Sequence, residues 1–195
     1  ADMWIHESFA NYSEYLFVEY YYGKQAGYEY ARGERQVILN DKPIIGFYDV
    51  NNLGSMDMYR KGGNMLHTLR QIVNDDSKWR EILRGINHEF YNQVVTTEQI
   101  ENYLVENTGI SPSFFDQYLR DMRVPVFEYY IKEKWLSYRW SNCIPSFNMS
   151  LKVNLSGEET WLFPTKVWKE TKINDDKTEV EIDPDFYVAS MKIID

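Results

Sequence analysis

The spacing of apolar residues changes near Met122, and this change restricts the chain to a fold with helices first and strands second. Before Met122, apolar side chains recur at three- and four-residue steps, as amphipathic helices require. After it, β-branched and aromatic residues alternate with polar ones, which is typical of strands. Val124-Pro125 separates the two patterns, because the residue before a proline disfavours helical backbone. The sequence therefore predicts an α+β chain with a helical part over 1–123 and a β part over 124–195.

The helical part carries signals for six helices. Thr96 and Gln99 match a capping box, and Gly109 can end the helix that this box begins. The pair Gly62-Gly63 weakens its helix by about 1 kcal/mol per residue, so we expect another part of the chain to approach the backbone closely there. The predicted helices cover 2–22, 25–37, 55–73, a stretch capped by Asp76, 96–107 and 114–122.

Short strands separated by turn residues predict a small antiparallel β-sandwich in the second part. This part is too short to bury a large core alone, so we expect it to pack on the helices. The predicted strands cover 126–132, 136–141, 149–155, 160–167, 178–182 and 186–193.

Charge and composition exclude several classes of function. The formal net charge of −9 disfavours nucleic acid and anionic lipid as partners, and it suits a cationic group such as the α-ammonium of a peptide. No apolar run is long enough for a transmembrane helix, so we expect no membrane span. Cys143 is the only cysteine, which excludes an intrachain disulfide and a cysteine-rich metal site. The cellular compartment stays open.

The three histidines do not form a helical zinc site. Such a site needs two histidines at i and i+4, and neither His6-Glu7 nor His88-Glu89 is followed by the second one. The sequence therefore contains no self-sufficient zinc site. We expect His67 and His88 to be surface or capping residues.

Two glutamates on the first helix are candidate functional residues. Glu7 stands among apolar residues, and Glu14 lies two turns further along the same face. A carboxylate that faces inward needs a metal, a base or a hydrogen-bond network as its partner. On spacing alone, a solvated helix face is the simpler interpretation of both residues.

The segment 4–15, W-I-H-E-S-F-A-N-Y-S-E-Y, resembles the W-L-N-E-G-F-A-x-Y-x-E-Y segment of the aminopeptidase N family of zinc peptidases. The resemblance implies that Glu7 is the third zinc ligand and that the H-E-x-x-H helix lies upstream of this chain. It also implies that Glu14 can orient a metal ligand, although a plain structural hydrogen bond explains Glu14 equally well. His6 and Ser8 replace the family's usual Asn and Gly.

Two further segments support the resemblance. The run M-Y-R-K-G at 58–62, continued by Leu66 and Leu69, is similar to the family's Y-x-K-G-x-x-x-L-x-x-L. The resemblance implies that Tyr59 donates a hydrogen bond to the tetrahedral intermediate, which suits a phenol whose ordinary pKa near 10 keeps it protonated at neutral pH. The segment 114–120 resembles the end of the family's helical region, which a β-sandwich follows.

The family resemblance implies that the chain is a C-terminal piece of an aminopeptidase that removes N-terminal residues from peptides with Zn²⁺. The helices would then be the helical part of a thermolysin-like catalytic domain. Helical periodicity begins almost at Ala1, so we expect a longer parent protein. The chain alone is expected to bind no zinc and to be inactive, because one carboxylate does not hold zinc tightly. The alternative is a helical and β-sandwich binding module without catalysis.

The same interpretation predicts an apolar face near the N-terminus. Trp4, Ile5 and Phe9 would pack against the absent zinc helices in the parent. Because large exposed apolar patches usually find a partner, we expect these residues to mediate self-association or to lie in a disordered N-terminus.

Overall fold

The computed structural model describes residues 1–194, which form six α-helices followed by seven β-strands. Short 3₁₀ turns follow α2 at Arg35–Val37 and precede α3 at Met56–Met58. The long connection between these turns contains no other helix or strand. The helices are α1 (Trp4–Tyr22), α2 (Lys24–Glu34), α3 (Arg60–Val73), α4 (Asp76–Glu89), α5 (Thr97–Thr108) and α6 (Ser113–Arg120).

The strands form two small sheets, with orders β5-β2-β1-β7 and β4-β3-β6. Strand β1 pairs with β7 in parallel, whereas the other pairs are antiparallel. The predicted antiparallel pairing is therefore correct for four of the five strand pairs and wrong for β1 with β7. The chain leaves the second sheet after β6, crosses the helices, and joins the edge of β1 in the same direction. The strands are β1 (Val126–Lys132), β2 (Trp135–Ser141), β3 (Leu151–Leu155), β4 (Glu158–Leu162), β5 (Lys169–Lys172), β6 (Val180–Ile182) and β7 (Ala189–Lys192).

Local signals located many element ends, and two of the differences from the predicted ends have a clear local cause. The N-cap of α4 is Asp75 and not Asp76, because the Asp75 carboxylate accepts hydrogen bonds from the backbone N–H groups of Ser77 and Lys78. The strand predicted over 160–167 is shifted toward the N-terminus. A tight turn places its first residue at Glu158, and the strand ends before Pro164, which cannot donate to a ladder.

The β part packs on the helices, as predicted, and one apolar cluster runs through both parts. Residues 183–188, here called the crossing segment, make many of these contacts. The Tyr118 hydroxyl donates to the Tyr187 carbonyl, and the Tyr187 N–H donates to Thr68 Oγ1. The last helix ends at Arg120 and the first strand begins at Val126. The division into separate domains over 1–123 and 124–195 stays a prediction.

The predicted apolar face is only partly exposed. Trp4 is fully buried, and its Nε1 donates a hydrogen bond of 2.8 Å to Thr97 Oγ1 at the start of α5. The expectation that Trp4 needs an absent helix to cover it was therefore wrong. Ile5 and Phe9 are half-buried and line an open groove between α1 and α4. Exposed aromatic side chains cluster instead at the C-terminal end of α1, at Phe17, Tyr20, Tyr21 and Tyr22.

Over residues 1–194, no helix combines the length and the hydropathy needed to cross a membrane.

Candidate functional site

Helices α1 and α3 pack closely because two glycines, Gly62 and Gly63, lie in the first turn of α3. A Cβ atom at Gly62 would lie 1.8 Å from Ser8 Oγ, and one at Gly63 would lie 2.3 Å from Asn11 Oδ1. Both distances are too short for any other residue unless side chains of α1, or α1 itself, move. The close approach expected at Gly62-Gly63 is thus confirmed, and α1 is the element that approaches.

A buried hydrogen bond joins the two helices at the same level. Ser8 Oγ donates to the Met58 carbonyl oxygen over 2.6 Å. Ser8 follows Glu7 directly, and Met58 precedes Tyr59 directly. The hydrogen bond therefore connects two residues that are direct sequence neighbours of the candidate site residues Glu7 and Tyr59.

Glu7 and Tyr59 are near enough for the Glu7 carboxylate to influence the Tyr59 phenol. Tyr59 is half-buried immediately before α3, and Glu7 is half-buried in the first turns of α1. Partial desolvation raises the pKa of the Tyr59 phenol, and the charge of the Glu7 carboxylate and its polar contact with the phenol raise that pKa further. The phenol consequently keeps its proton at neutral pH and presents a hydrogen-bond donor beside a carboxylate.

Glu14 has a different neighbour. It is exposed, and its Oε2 accepts a hydrogen bond of 3.0 Å from the hydroxyl of Tyr30 on α2. That hydrogen bond is the main reason why the pKa of Tyr30 is raised. The structure thus shows a structural hydrogen bond for Glu14, while its role in orienting a metal ligand stays a prediction.

Lys61 supports the site and was missed as a buried residue by sequence reasoning. Its side chain is fully buried, and its Nζ donates to the Asp121 carbonyl oxygen over 3.0 Å. Burial lowers the pKa of Lys61 to about 8, against the opposing effect of Asp57 and two other carboxylates. Since Lys61 stands two residues after Tyr59, this contact fixes the start of α3 against the end of α6. A lysine in an otherwise polar helix turn gives no sequence signal of such burial.

The prediction that His67 is a surface or capping residue was wrong. His67 is 1% exposed, and its Nε2 lies 3.2 Å from Asp185 Oδ1 in the crossing segment. Desolvation lowers the pKa of His67 despite the neighbouring carboxylate. It stands eight residues after Tyr59 on α3, about 12 Å along the helix. His67 is therefore separate from the Glu7–Tyr59 pair.

The part of the chain that the structure describes holds no complete metal site. Within 1–194, no cluster of three or more His, Cys, Asp or Glu side chains has the arrangement to hold a metal ion. Protein zinc sites use three or four protein ligands, and carboxylate oxygen is an accepted donor among them. The Glu7 carboxylate is a donor of the type that zinc accepts, and its role as a zinc ligand stays a prediction.

The comparisons with known proteins identify a fold. No family model matches the chain, and no curated protein matches it. Among solved structures, it is similar to Legionella pneumophila aminopeptidase A in complex with aspartic acid, with a TM-score of 0.73 and 12% sequence identity. The match covers 100% of this chain and 24% of the Legionella chain. The similarity shows that a helical part followed by two small sheets, as here, also occurs inside an aminopeptidase.

Proposed function

We propose that the chain is part of a zinc-dependent aminopeptidase in which Glu7 is a zinc ligand and Tyr59 stabilises the developing oxyanion. The observation that carries this proposal is the buried hydrogen bond between Ser8 and Met58, which places Glu7 and Tyr59 next to the same contact between α1 and the start of α3. The two residues lie far apart in sequence on different elements, and a generic helical module does not require them to meet. The shared fold with an aminopeptidase supports the same conclusion.

Each residue then has a defined chemical role. Zn²⁺ bound with Glu7 as one ligand supplies a Lewis acid for the scissile carbonyl. Tyr59 donates a hydrogen bond to the carbonyl oxygen as negative charge develops on it. The raised pKa of Tyr59 secures the proton for this donation. Lys61 and Ser8 hold the backbone around Tyr59 and do not contact the substrate in this proposal.

The rest of the site belongs to a longer parent protein. The chain spans 24% of the length of the aminopeptidase that it matches. We propose that two histidine ligands and a general-base glutamate precede Glu7 in a thermolysin-like catalytic domain. The proposed substrate is a peptide with a free α-ammonium group, and the chain by itself is proposed to be inactive.

A non-catalytic binding module is the second candidate function. The open groove between α1 and α4 favours it, because this groove is lined by apolar side chains that include Ile5, Phe9, Leu83 and Ile86. Such a module would bind its partner through the groove and would not depend on Glu7 or Tyr59. The two functions therefore differ in which substitutions abolish them.

The test is to express the chain together with the residues that precede it in its gene. We expect one zinc per chain and hydrolysis of aminoacyl p-nitroanilides, but no hydrolysis of the same compounds with acetylated N-termini. Glu7→Gln should lose the zinc, whereas Glu89→Gln, at the end of α4, should keep it. A longer protein without an H-E-x-x-H sequence, or one that retains zinc after Glu7→Gln, would contradict the proposal.

A further inference from the structure

A cleft opens between the edge strands of the two sheets. Its volume is about 660 Å³, and it is bordered by β4 of one sheet and β5 of the other. Its floor is apolar, because the buried side chains of Tyr138, Leu162 and Ile173 line it. The exposed ring of Phe163 lines it as well. Ligand clefts in proteins usually have volumes of about 300–1,000 Å³, so the space is large enough for a short peptide.

Strand β4 directs unbonded backbone groups toward the free side of its sheet. In an antiparallel pair, alternate residues exchange hydrogen bonds with the partner strand. The two-residue turn at Ser156 and Gly157 starts this alternation at Glu158. Glu159 and Trp161 therefore direct their N–H and C=O groups away from β3. Over residues 1–194, these groups have no hydrogen-bond partner in the protein.

The other side of β3 supports the same alternation. Lys152 lies opposite Trp161, and its carbonyl oxygen accepts a hydrogen bond of 3.1 Å from the Asp183 N–H, next to β6. The backbone of Lys152 therefore faces β6 and not Trp161. The outward groups of β4 are consequently available to an added strand.

The other three edge strands are poorly suited to strand addition. Lysines on an edge strand disfavour pairing with another chain. Strand β5 carries Lys169 and Lys172 and β7 carries Lys192, all of them exposed, whereas β6 has only three residues. Strand β4 has five residues, and none of them is lysine or proline. In the part of the chain that the structure describes, β4 is therefore the edge most open to a partner.

We propose that the edge of β4 binds an extended peptide segment, which adds a strand to the sheet and places alternate side chains in the cleft. Main-chain hydrogen bonds to Glu159 and Trp161 supply the affinity in this mode of binding, and the side chains that enter the cleft supply the specificity. Successive side chains of a strand point to opposite faces. Leu162 lies on the cleft face, so Glu159 lies on the outer face.

The charge around β4 favours a cationic peptide. Glu158 and Glu159 are exposed on this strand, which has no basic residue, and the whole chain has a formal net charge of −9. Opposite charges on neighbouring strands stabilise their pairing. The partner is therefore a segment in which apolar residues, directed into the cleft, alternate with lysine or arginine on the outer face. This inference does not rest on the proposed function.

The experiment measures the binding of designed peptides to the 195-residue chain. The probe is a fluorescein-labelled heptapeptide in which valine and lysine alternate, and fluorescence anisotropy gives its Kd. Two further probes carry N-methyl groups, either on the valine nitrogens or on the lysine nitrogens. Strand addition presents only one of these sets of N–H groups to β4, so we expect one methylated peptide to bind and the other not to bind. Equal behaviour of the two methylated peptides, or no binding of the unmethylated probe, would overturn the proposal.

Proline substitutions identify the edge that the peptide uses. Glu159→Pro removes an N–H from the free side of β4 and leaves the hydrogen bonds to β3 in place. Glu170→Pro is the matched control on β5, beside the same cleft and with the same loss of charge. Glu159→Pro should raise the Kd of the probe about 10-fold, and Glu170→Pro should leave it unchanged. Equal effects, or the reverse order, would contradict the assignment to β4.

Two further measurements complete the test. Hydrogen–deuterium exchange at the amides of Glu159 and Trp161 should slow when the probe binds, and unchanged exchange there would overturn the proposal. Sedimentation velocity without the probe detects a second copy of the chain at this edge; a dimer that Glu159→Pro dissociates would replace the peptide as the occupant.

The comparison of the methylated peptides uses the unaltered chain, so it does not require that Glu159→Pro folds. None of these measurements requires zinc or turnover. Failure of peptide binding and failure of the proposed function can therefore be distinguished.

Discussion

The Nε2 atom of His67 on α3 lies 3.2 Å from Oδ1 of Asp185, a residue 118 positions later in the crossing segment. The rings of Tyr15 and Tyr28 pack edge-on against His67, and Arg32 contacts the Asp185 carboxylate over 3.1 Å. Desolvation outweighs the carboxylate, so the pKa of His67 is lowered in the folded chain. The His67 ring is therefore neutral in the folded protein at neutral pH.

Acidification should lower the free energy of unfolding through the His67–Asp185 pair. A histidine whose pKa is lower in the folded than in the unfolded state stabilises the fold above its unfolded pKa, about 6.5, and this stability is lost as the pH falls. The pKa of Asp185 is lowered as well, so protonation of its carboxylate removes further stability at more acidic pH. Urea unfolding should show a drop in the free energy of unfolding between pH 7.5 and 5.5. His67→Gln should reduce that drop, and His88→Gln, at an exposed position, should leave it unchanged.

Two glycine-to-alanine substitutions should distinguish the effect of the α1–α3 contact on stability from the effect of helix propensity. Gly62→Ala should lower the free energy of unfolding by about 1–3 kcal/mol, because its methyl group collides with Ser8. Gly33→Ala should raise the free energy of unfolding by up to about 1 kcal/mol, since nothing lies within 4 Å of the added Cβ. Thermal or urea unfolding measures both. Equal effects of the two substitutions would show that α1 and α3 do not pack as described.

Thr97 should be important for the N-terminus of α1. Its hydroxyl accepts from Trp4 Nε1 and donates to Asp2 Oδ1, and its N–H donates to the same carboxylate. Thr97→Val keeps the shape but leaves a buried indole N–H without its acceptor, which should cost about 1–3 kcal/mol. Thr165→Val, which removes an exposed hydrogen bond, should cost less than about 0.5 kcal/mol. Urea unfolding gives both values, and similar costs would count against the buried Trp4–Thr97 contact.

Tyr59 should be required for turnover but not for metal binding in the longer protein. Tyr59→Phe removes one donor to the oxyanion and should lower kcat by about 10²–10³-fold, with the zinc content unchanged. Tyr91→Phe, at a position that is 74% exposed, should leave kcat unchanged. Steady-state kinetics with an aminoacyl p-nitroanilide and metal analysis measure both properties. An unchanged kcat for Tyr59→Phe would remove Tyr59 from the mechanism.

The exposed aromatic cluster on α1 should promote self-association. The rings of Phe17 and Tyr21 pack together at a tilt, with centroids 4.6 Å apart, and both side chains are more than half exposed. Exposed apolar patches favour association in water. Sedimentation velocity should show concentration-dependent oligomers that Phe17→Glu reduces. Val94→Glu, which adds the same charge at a residue that is 98% exposed, should have no such effect.

Helix ends were predictable because their signals are local. The capping box of Thr96 and Gln99 and the left-handed Gly109 appear as expected around α5, since their hydrogen bonds join residues only a few positions apart. Strand β1 was predicted with its correct ends for a similar reason. Pro125 stands directly before the strand, and a tight turn at Glu133 and Lys134 follows it, so both of its ends are set locally.

Contacts between distant residues were not predictable in the same way. Strand β5 has the polar sequence K-E-T-K and exists because an edge of β2 offers hydrogen bonds. The parallel pairing of β1 with β7 depends on the route of the crossing segment, which no local pattern encodes. His67 is buried by a segment more than 100 positions away. The convergence of Glu7 and Tyr59 was expected only through the family resemblance, because the helix-packing contact at Ser8 and Gly62 has no periodic signature.

The crossing segment also determines when this chain can fold during its synthesis. Tyr187 completes the packing around α6 and α3, and Ala189–Lys192 adds the parallel partner of β1. Neither the helices nor the larger sheet can reach their final packing until these residues have left the ribosome. Contacts between residues so distant in sequence slow folding. The incompletely packed helices therefore expose apolar surface while the β part is being translated. A chaperone would have its largest effect on folding during this period.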